Sequence, residues 1–127
     1  MVHNGIIENS TLLKKFLVKK GHRFKSQTDT EVIVHLITEY LKKNNLIDTL
    51  TKVLKKLHGS FALGIIFKDE PDLIVGARRG SPLAVGYGPG ENYLGSDSYA
   101  LKSMTNKITY LDAVSYTHLT LPTRLMV

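Results

Sequence analysis

The period of the apolar residues changes once along this chain, at Gly59, and that change constrains the fold more than any other feature. Before Gly59 the apolar residues recur at helical spacing. Leu12, Leu13, Phe16 and Leu17 form one stripe, and Val32, Ile33, Leu36, Ile37, Tyr40 and Leu41 form a second. Leu46, Leu50, Val53, Leu54 and Leu57 form a third. Asn9 or Ser10 can cap the first helix, and Gly21 suits its end. Thr28 and Glu31 have the spacing of a capping box ahead of the second. The third closes at Gly59. After it, residues 61–67 are continuously apolar, as in a strand buried on both faces. Short runs at 73–77, 83–87, 93–95 and 107–111 read as further strands. The turns between them lie at Lys68-Asp69-Glu70-Pro71-Asp72, Gly80-Ser81-Pro82 and Pro89-Gly90-Glu91-Asn92. A short helix is expected over 98–104, with Ser96-Asp97 as turn and cap. Helices followed by a strand meander predict an α+β fold.

Length allows one domain at most. The net charge of +6 comes mainly from helix faces (Lys14, Lys15, Lys19, Lys20, Lys52, Lys55, Lys56) and from Arg78-Arg79. Basic residues at that spacing form a solvated face. Without aromatic interleaving or an RNA-binding signature they do not indicate a nucleic-acid partner. No run approaches membrane-span length, so no membrane partner is expected and the chain reads as cytoplasmic. The absence of cysteine excludes disulfides.

Several cofactor and catalytic patterns fail. Residues 86–91 lack the third glycine of a dinucleotide loop. There is no P-loop and no nucleophile elbow around a serine. His3, His22, His35 and His58 lack metal-ligand spacing, so neither a metal nor a cofactor is expected. His35, beside the apolar stripe of the second helix, reads as structural.

Two places carry chemistry. The run Val2-His3-Asn4-Gly5-Ile6-Ile7-Glu8-Asn9 puts an Asn-Gly pair after a β-branched entry. Such a pair is a turn signal, because both residues tolerate positive φ. It can also offer an Asn amide and a Gly N–H to an oxyanion. Spacing leaves both readings open. Asp29 lies in the first turn of the second helix, where the helix dipole favours a carboxylate. It can serve as a simple helix-start residue or as the partner of an ammonium ion.

The wording of these runs resembles the glutaminase domain of the isomerising glutamine–fructose-6-phosphate aminotransferases, the glucosamine-6-phosphate synthases. Val2 to Asn9 is the first match. Gly21-His22-Arg23-Phe24-Lys25-Ser26 leads into Thr28-Asp29-Thr30-Glu31-Val32-Ile33. Then come Gly59-Ser60-Phe61-Ala62-Leu63, Ala77-Arg78-Arg79-Gly80-Ser81-Pro82-Leu83 and Gly90-Glu91-Asn92-Tyr93-Leu94-Gly95-Ser96-Asp97, in family order. The resemblance implies an N-terminal-nucleophile glutamine amidotransferase type 2 fold, with two sheets between helical layers. It implies that Asn4 and Gly5 form the oxyanion hole and that Asp29 binds the α-amino group of glutamine. It also implies a partner, fructose 6-phosphate, acting at an isomerase domain absent here, and a homo-oligomeric parent. The family's catalytic cysteine and its Arg-Trp-Ala-Thr-His-Gly run have no counterpart, so the start is expected to lie inside the domain. Residues 1–113 read as a partial domain. Residues 114–127 share nothing with the family, resemble the translation of a transposase-type sequencing adapter, and are expected to add nothing to the fold. The alternatives are another class II amidotransferase, such as the phosphoribosylamine-forming one, and a non-catalytic module of the same fold. Against the first, Arg78 to Leu83 departs from the Arg-Asp-Pro run that family prefers.

Overall fold

The computed structural model describes residues 1–96, 101, 102 and 105–111, and the backbone of 114–120 and 123–126. The described chain forms two compact units, residues 6–59 and residues 1–5 with 60–127. A first strand at Val2–Ile7 precedes three helices, and the remaining strands follow them, so the fold is α+β.

In the first unit, three helices follow the three apolar stripes: α1 (Ser10–Lys19), α2 (Asp29–Leu41) and α3 (Leu46–Lys56). The second helix packs against both of the others. Its Val32, Ile33, Leu36 and Ile37 are buried, as are Leu50 and Val53 of α3. In α1 only Leu17 is buried, and Leu12 is 70% exposed, so the predicted stripe is wider than the buried one. Among the described residues, no helix is long and apolar enough to cross a membrane.

Two of the predicted caps form differently. Asn9 sits at the N-cap of α1 without capping it. Its Nδ2 donates to the Lys56 carbonyl at 2.7 Å, and its Oδ1 accepts from His58 N–H at 2.9 Å. Thr28 likewise makes no side-chain cap bond. Its capping-box partner Glu31 turns instead to the loop before the helix. Asn45 does cap α3, accepting from Asp48 N–H at 2.8 Å.

The second unit holds two four-stranded sheets. The first is ordered β1 (Val2–Ile7), β2 (Gly59–Phe67), β3 (Glu70–Arg79), β7 (Val114–Thr120). The second is ordered β6 (Lys107–Tyr110), β4 (Ala84–Gly88), β5 (Glu91–Gly95), β8 (Thr123–Met126). Residues 61–65 of β2 are all buried, the physical reason for their continuous apolar run. One core cluster joins the two sheets: Ala62 and Ile74 meet Leu83, Val85 and Leu94, with Leu111 at its margin. Gly76 admits them, since a Cβ there would lie 3.0 Å from Leu94 and 3.2 Å from Leu83. The alternate residues Ala84 and Tyr93 face a second cluster with Leu101 and Ile108.

Arg78, near the end of β3, braces the turn that follows it. Its guanidinium donates to the carbonyls of Ser81 (2.7 Å), Gly80 (2.9 Å) and Leu111 (2.8 Å). Its planar fork suits three converging acceptors, which makes this motif residue an architectural one.

The last strands correct one expectation. The backbone of 114–120 pairs antiparallel with β3, from Arg79 opposite Val114 to Leu73 opposite Thr120. The backbone of 123–126 pairs in parallel with β5. A segment expected to stand outside the fold therefore completes two sheet edges. Its β-branched and aromatic residues favour extension, and an open strand edge accepts such a partner. The helix expected over 98–104 and the Asp97 cap fall largely outside the described residues.

Candidate functional site

The Asn4-Gly5 pair is not a turn. Both residues lie inside β1, exposed, and the chain continues as strand to Ile7. The glycine is nonetheless required. Its φ is +113°, and a Cβ would stand 2.1 Å from the Ser60 carbonyl oxygen and 2.9 Å from the Phe61 Cα. A neighbouring backbone approaches where no side chain fits. A positive φ takes Gly5 out of the regular β conformation of its strand.

Asp29 opens α2, and its Oδ2 accepts the backbone N–H of Ile7 at 2.8 Å. Two causes hold the carboxylate there. The first turn of a helix favours negative charge, and a backbone donor fixes the orientation. Asn4 and Gly5 precede Ile7 by three and two residues on the same strand. The Asp29–Ile7 bond lies within the unit of residues 6–59, whereas Asn4 and Gly5 belong to the other unit. That bond spans 22 positions of sequence, beyond the reach of any local pattern.

The strand's exit is fastened separately. Glu8 N–H donates to the His58 carbonyl at 2.8 Å, beside the two Asn9 bonds. The loop before Asp29 is fastened by Glu31. Its carboxylate accepts from Lys25 N–H (2.7 Å), Ser26 N–H (2.7 Å) and the Ser26 hydroxyl (2.7 Å), and meets His35 Nε2 at 3.1 Å. These donors hold the Glu31 pKa at about 2 against an ordinary 4.5. The Ser26 hydroxyl contributes most, the Lys25 amide next, and partial desolvation opposes them. Sequence spacing suggested Glu31 only as a cap partner. Asn9 escaped notice as an anchor because its partners are backbone groups 47 and 49 residues away, and Glu31 because two of its partners are backbone N–H groups.

A depressed carboxylate stabilises the fold fully above its unfolded pKa and loses that contribution as pH falls through the folded value. The Glu31 contribution is therefore complete above about 4.5 and lost towards about 2. Glu31→Gln is expected to lower the melting temperature at neutral pH and to flatten its decline across that acid window. Thermal melts at a series of pH values check this. An unchanged acid slope would assign the decline to other carboxylates.

Among the described residues, no group of three or more His, Asp or Glu side chains is arranged to hold a metal ion.

The profile of the glutamine amidotransferase domain family matches residues 1–103. The chain belongs to that family. Glutamine--fructose-6-phosphate aminotransferase [isomerizing] of Zymomonas mobilis is 54% identical over 121 residues, covering 94% of this chain and 20% of the relative. The Thermococcus kodakarensis protein of the same name is 53% identical, with the same coverage. Among solved structures, a glutamine phosphoribosylpyrophosphate amidotransferase from B. subtilis, complexed with ADP and GMP, is 30% identical. It aligns with a TM-score of 0.69 over 87% of this chain and 24% of its own. The chain spans about a fifth of the length of the curated relatives it matches. The resemblance read from five motifs is borne out, and so is the α+β amidotransferase fold.

Proposed function

We propose that this chain is part of the glutaminase domain of an isomerising glutamine–fructose-6-phosphate aminotransferase. The parent enzyme would make glucosamine 6-phosphate from fructose 6-phosphate and glutamine, as a cytoplasmic homo-oligomer. The observation that carries this reading is the Asp29 carboxylate, fixed at the start of α2 by Ile7 N–H. Identities of 53–54% to proteins of that name support it.

In this mechanism a cysteine thiol outside these residues attacks the glutamine side-chain amide, and negative charge develops on the amide oxygen. The Asn4 amide and the Gly5 N–H donate to that oxygen, where they count most in the transition state. Asp29 accepts from the α-ammonium of glutamine in ground and transition states alike. Ammonia leaves for the isomerase domain, and water hydrolyses the thioester to glutamate.

The chain has no cysteine, so it is expected to be inactive as it stands. Purified protein incubated with glutamine should release no ammonia above a heat-killed control, and a measurable release would overturn the assigned mechanism. The likeness to the B. subtilis phosphoribosylpyrophosphate amidotransferase favours a second reading, a phosphoribosylamine-forming parent. The lower identity, 30% against 54%, ranks it second. Assay of the intact parent with each acceptor decides: consumption of phosphoribosyl pyrophosphate in place of fructose 6-phosphate would reverse the order.

We also propose that residues 114–127 are foreign to the family sequence. The genomic DNA downstream of Ala113 tests this, and an uninterrupted reading frame encoding the same residues would refute it.

A further inference from the structure

Two imidazoles face each other between the end of α1 and the middle of α2. The Nδ1 atoms of His22 and His35 lie 3.0 Å apart, with the rings edge to face at 81°. Their outer nitrogens each meet a carboxylate. His22 Nε2 is 3.1 Å from Glu39 Oε1, and His35 Nε2 is 3.1 Å from Glu31 Oε2. Phe24 lies against His35, with ring centroids 4.4 Å apart. The four groups form one row, Glu31–His35–His22–Glu39, and the His22 side chain is only 9% exposed.

The row fixes a proton count. An ionised carboxylate only accepts, so each Nε2 that faces one must carry a hydrogen. Between the two Nδ1 atoms, 3.0 Å is a hydrogen-bond distance. Two protons there would set N–H against N–H, and none would set lone pair against lone pair. One proton satisfies the contact. The rings then hold three protons in all, one more than two neutral imidazoles hold.

We propose that His22 and His35 share one proton and a single positive charge, forming a proton-dependent clasp that fastens the segment leading into Asp29 to α2. Both flanking carboxylates stay ionised. Glu31 is held at about 2, chiefly by the Ser26 hydroxyl, and Glu39 is lowered, chiefly by its bond to His22. Further charges surround the row. The Lys42 ammonium is 3.2 Å from Glu39. From α1, Lys14 lies 5.1 Å from the centre of the Phe24 ring. Lys20 at the end of α1 and Lys43 line the cleft beside Glu39. Two anions thus flank the shared charge directly, while the lysines lie behind Glu39 and Phe24.

The clasp responds in both directions. A second added proton breaks the Nδ1 contact. Loss of the shared proton sets the two Nδ1 lone pairs against each other or, if a ring changes tautomer, one Nε2 lone pair against a carboxylate. Either change releases the row to which Glu31 ties Lys25 and Ser26, four and three residues before Asp29. A consequence for glutamine binding rests on the function proposed above, but the ring protons do not. The test reads the protons, so the two can fail separately.

The test is a long-range 1H–15N correlation of the histidine rings in the 15N-labelled full chain near neutral pH. The expected spectrum has both Nε2 atoms protonated and both Nδ1 signals midway between the bare and protonated positions, moving together on titration. The exposed His58 is the internal reference. His22→Gln should abolish the intermediate signal of His35. A bare Nε2 on either ring, two rings that titrate independently, or a His35 signal unmoved by His22→Gln would each overturn the clasp. If His22→Gln does not fold, the spectrum of the unmodified chain decides alone.

Discussion

Gly5→Ala is expected to lower the melting temperature by about 10 °C or more, because it combines two separate costs. The first is conformational. At φ +113° an L-residue is strained, by about 1–3 kcal/mol. The second is steric. The new Cβ would lie 2.1 Å from the Ser60 oxygen and 2.9 Å from the Phe61 Cα, and both are backbone atoms that cannot rotate away. Forcing such a contact typically costs a further 1–3 kcal/mol or so. Gly90→Ala separates the terms, since its φ is +77° and nothing lies within 4 Å of the added Cβ. It should show the conformational cost alone. Calorimetry of the two variants beside the parent chain checks this. If Gly5→Ala melted no lower than Gly90→Ala, β2 would be free to move away from β1 and the close approach would carry no weight.

The same glycine marks how far the sequence could be read. The change of period at Gly59 separated helices from strands correctly, because burial imposes it residue by residue. The α2 stripe was legible for the same reason. The Asn4-Gly5 pair was not legible as strand. Its local preference is for a turn, and the close passage of the Ser60 backbone, more than fifty residues away, overrides it. Thr28 and Glu31 had capping-box spacing, yet Glu31 finds three donors at Lys25 and Ser26 and leaves the cap. The pairing of 114–120 with β3 depends on an open edge elsewhere, which no local pattern records. Asp29 was visible as a helix-start carboxylate; its bond to Ile7 was not. In each case the sequence revealed what neighbours along the chain decide. What escaped it was decided by a partner brought up by the fold.

That bond to Ile7 also decides how Asp29 should be tested, once these residues are joined to an N-terminal part carrying the nucleophilic cysteine. Asn4→Ala should lower kcat by about 10²–10³, or about 2.7–4 kcal/mol, since it removes the donor that the proposed mechanism aims at charge developing only in the transition state. Asp29→Ala would remove the proposed ammonium partner and also leave Ile7 N–H without its acceptor, disturbing the strand that carries Asn4 and Gly5. It should therefore damage kcat and KM together. Asp29→Asn is the cleaner variant. Its amide oxygen can still accept from Ile7 N–H, while the negative charge is gone. It should raise KM for glutamine by about 10–100-fold, the worth of a hydrogen bond to a charged group, with kcat nearly kept. Where the isomerase domain is also present, turnover with externally supplied ammonia should be far less affected by any of the three, because ammonia bypasses the glutaminase step. The distinction is sharp. If Asn4→Ala raised KM and spared kcat, the pair would be a binding element and the oxyanion assignment would be wrong. If Asp29→Asn lowered kcat as severely as Asp29→Ala, its charge would act on the reacting amide, and the ammonium assignment would fall.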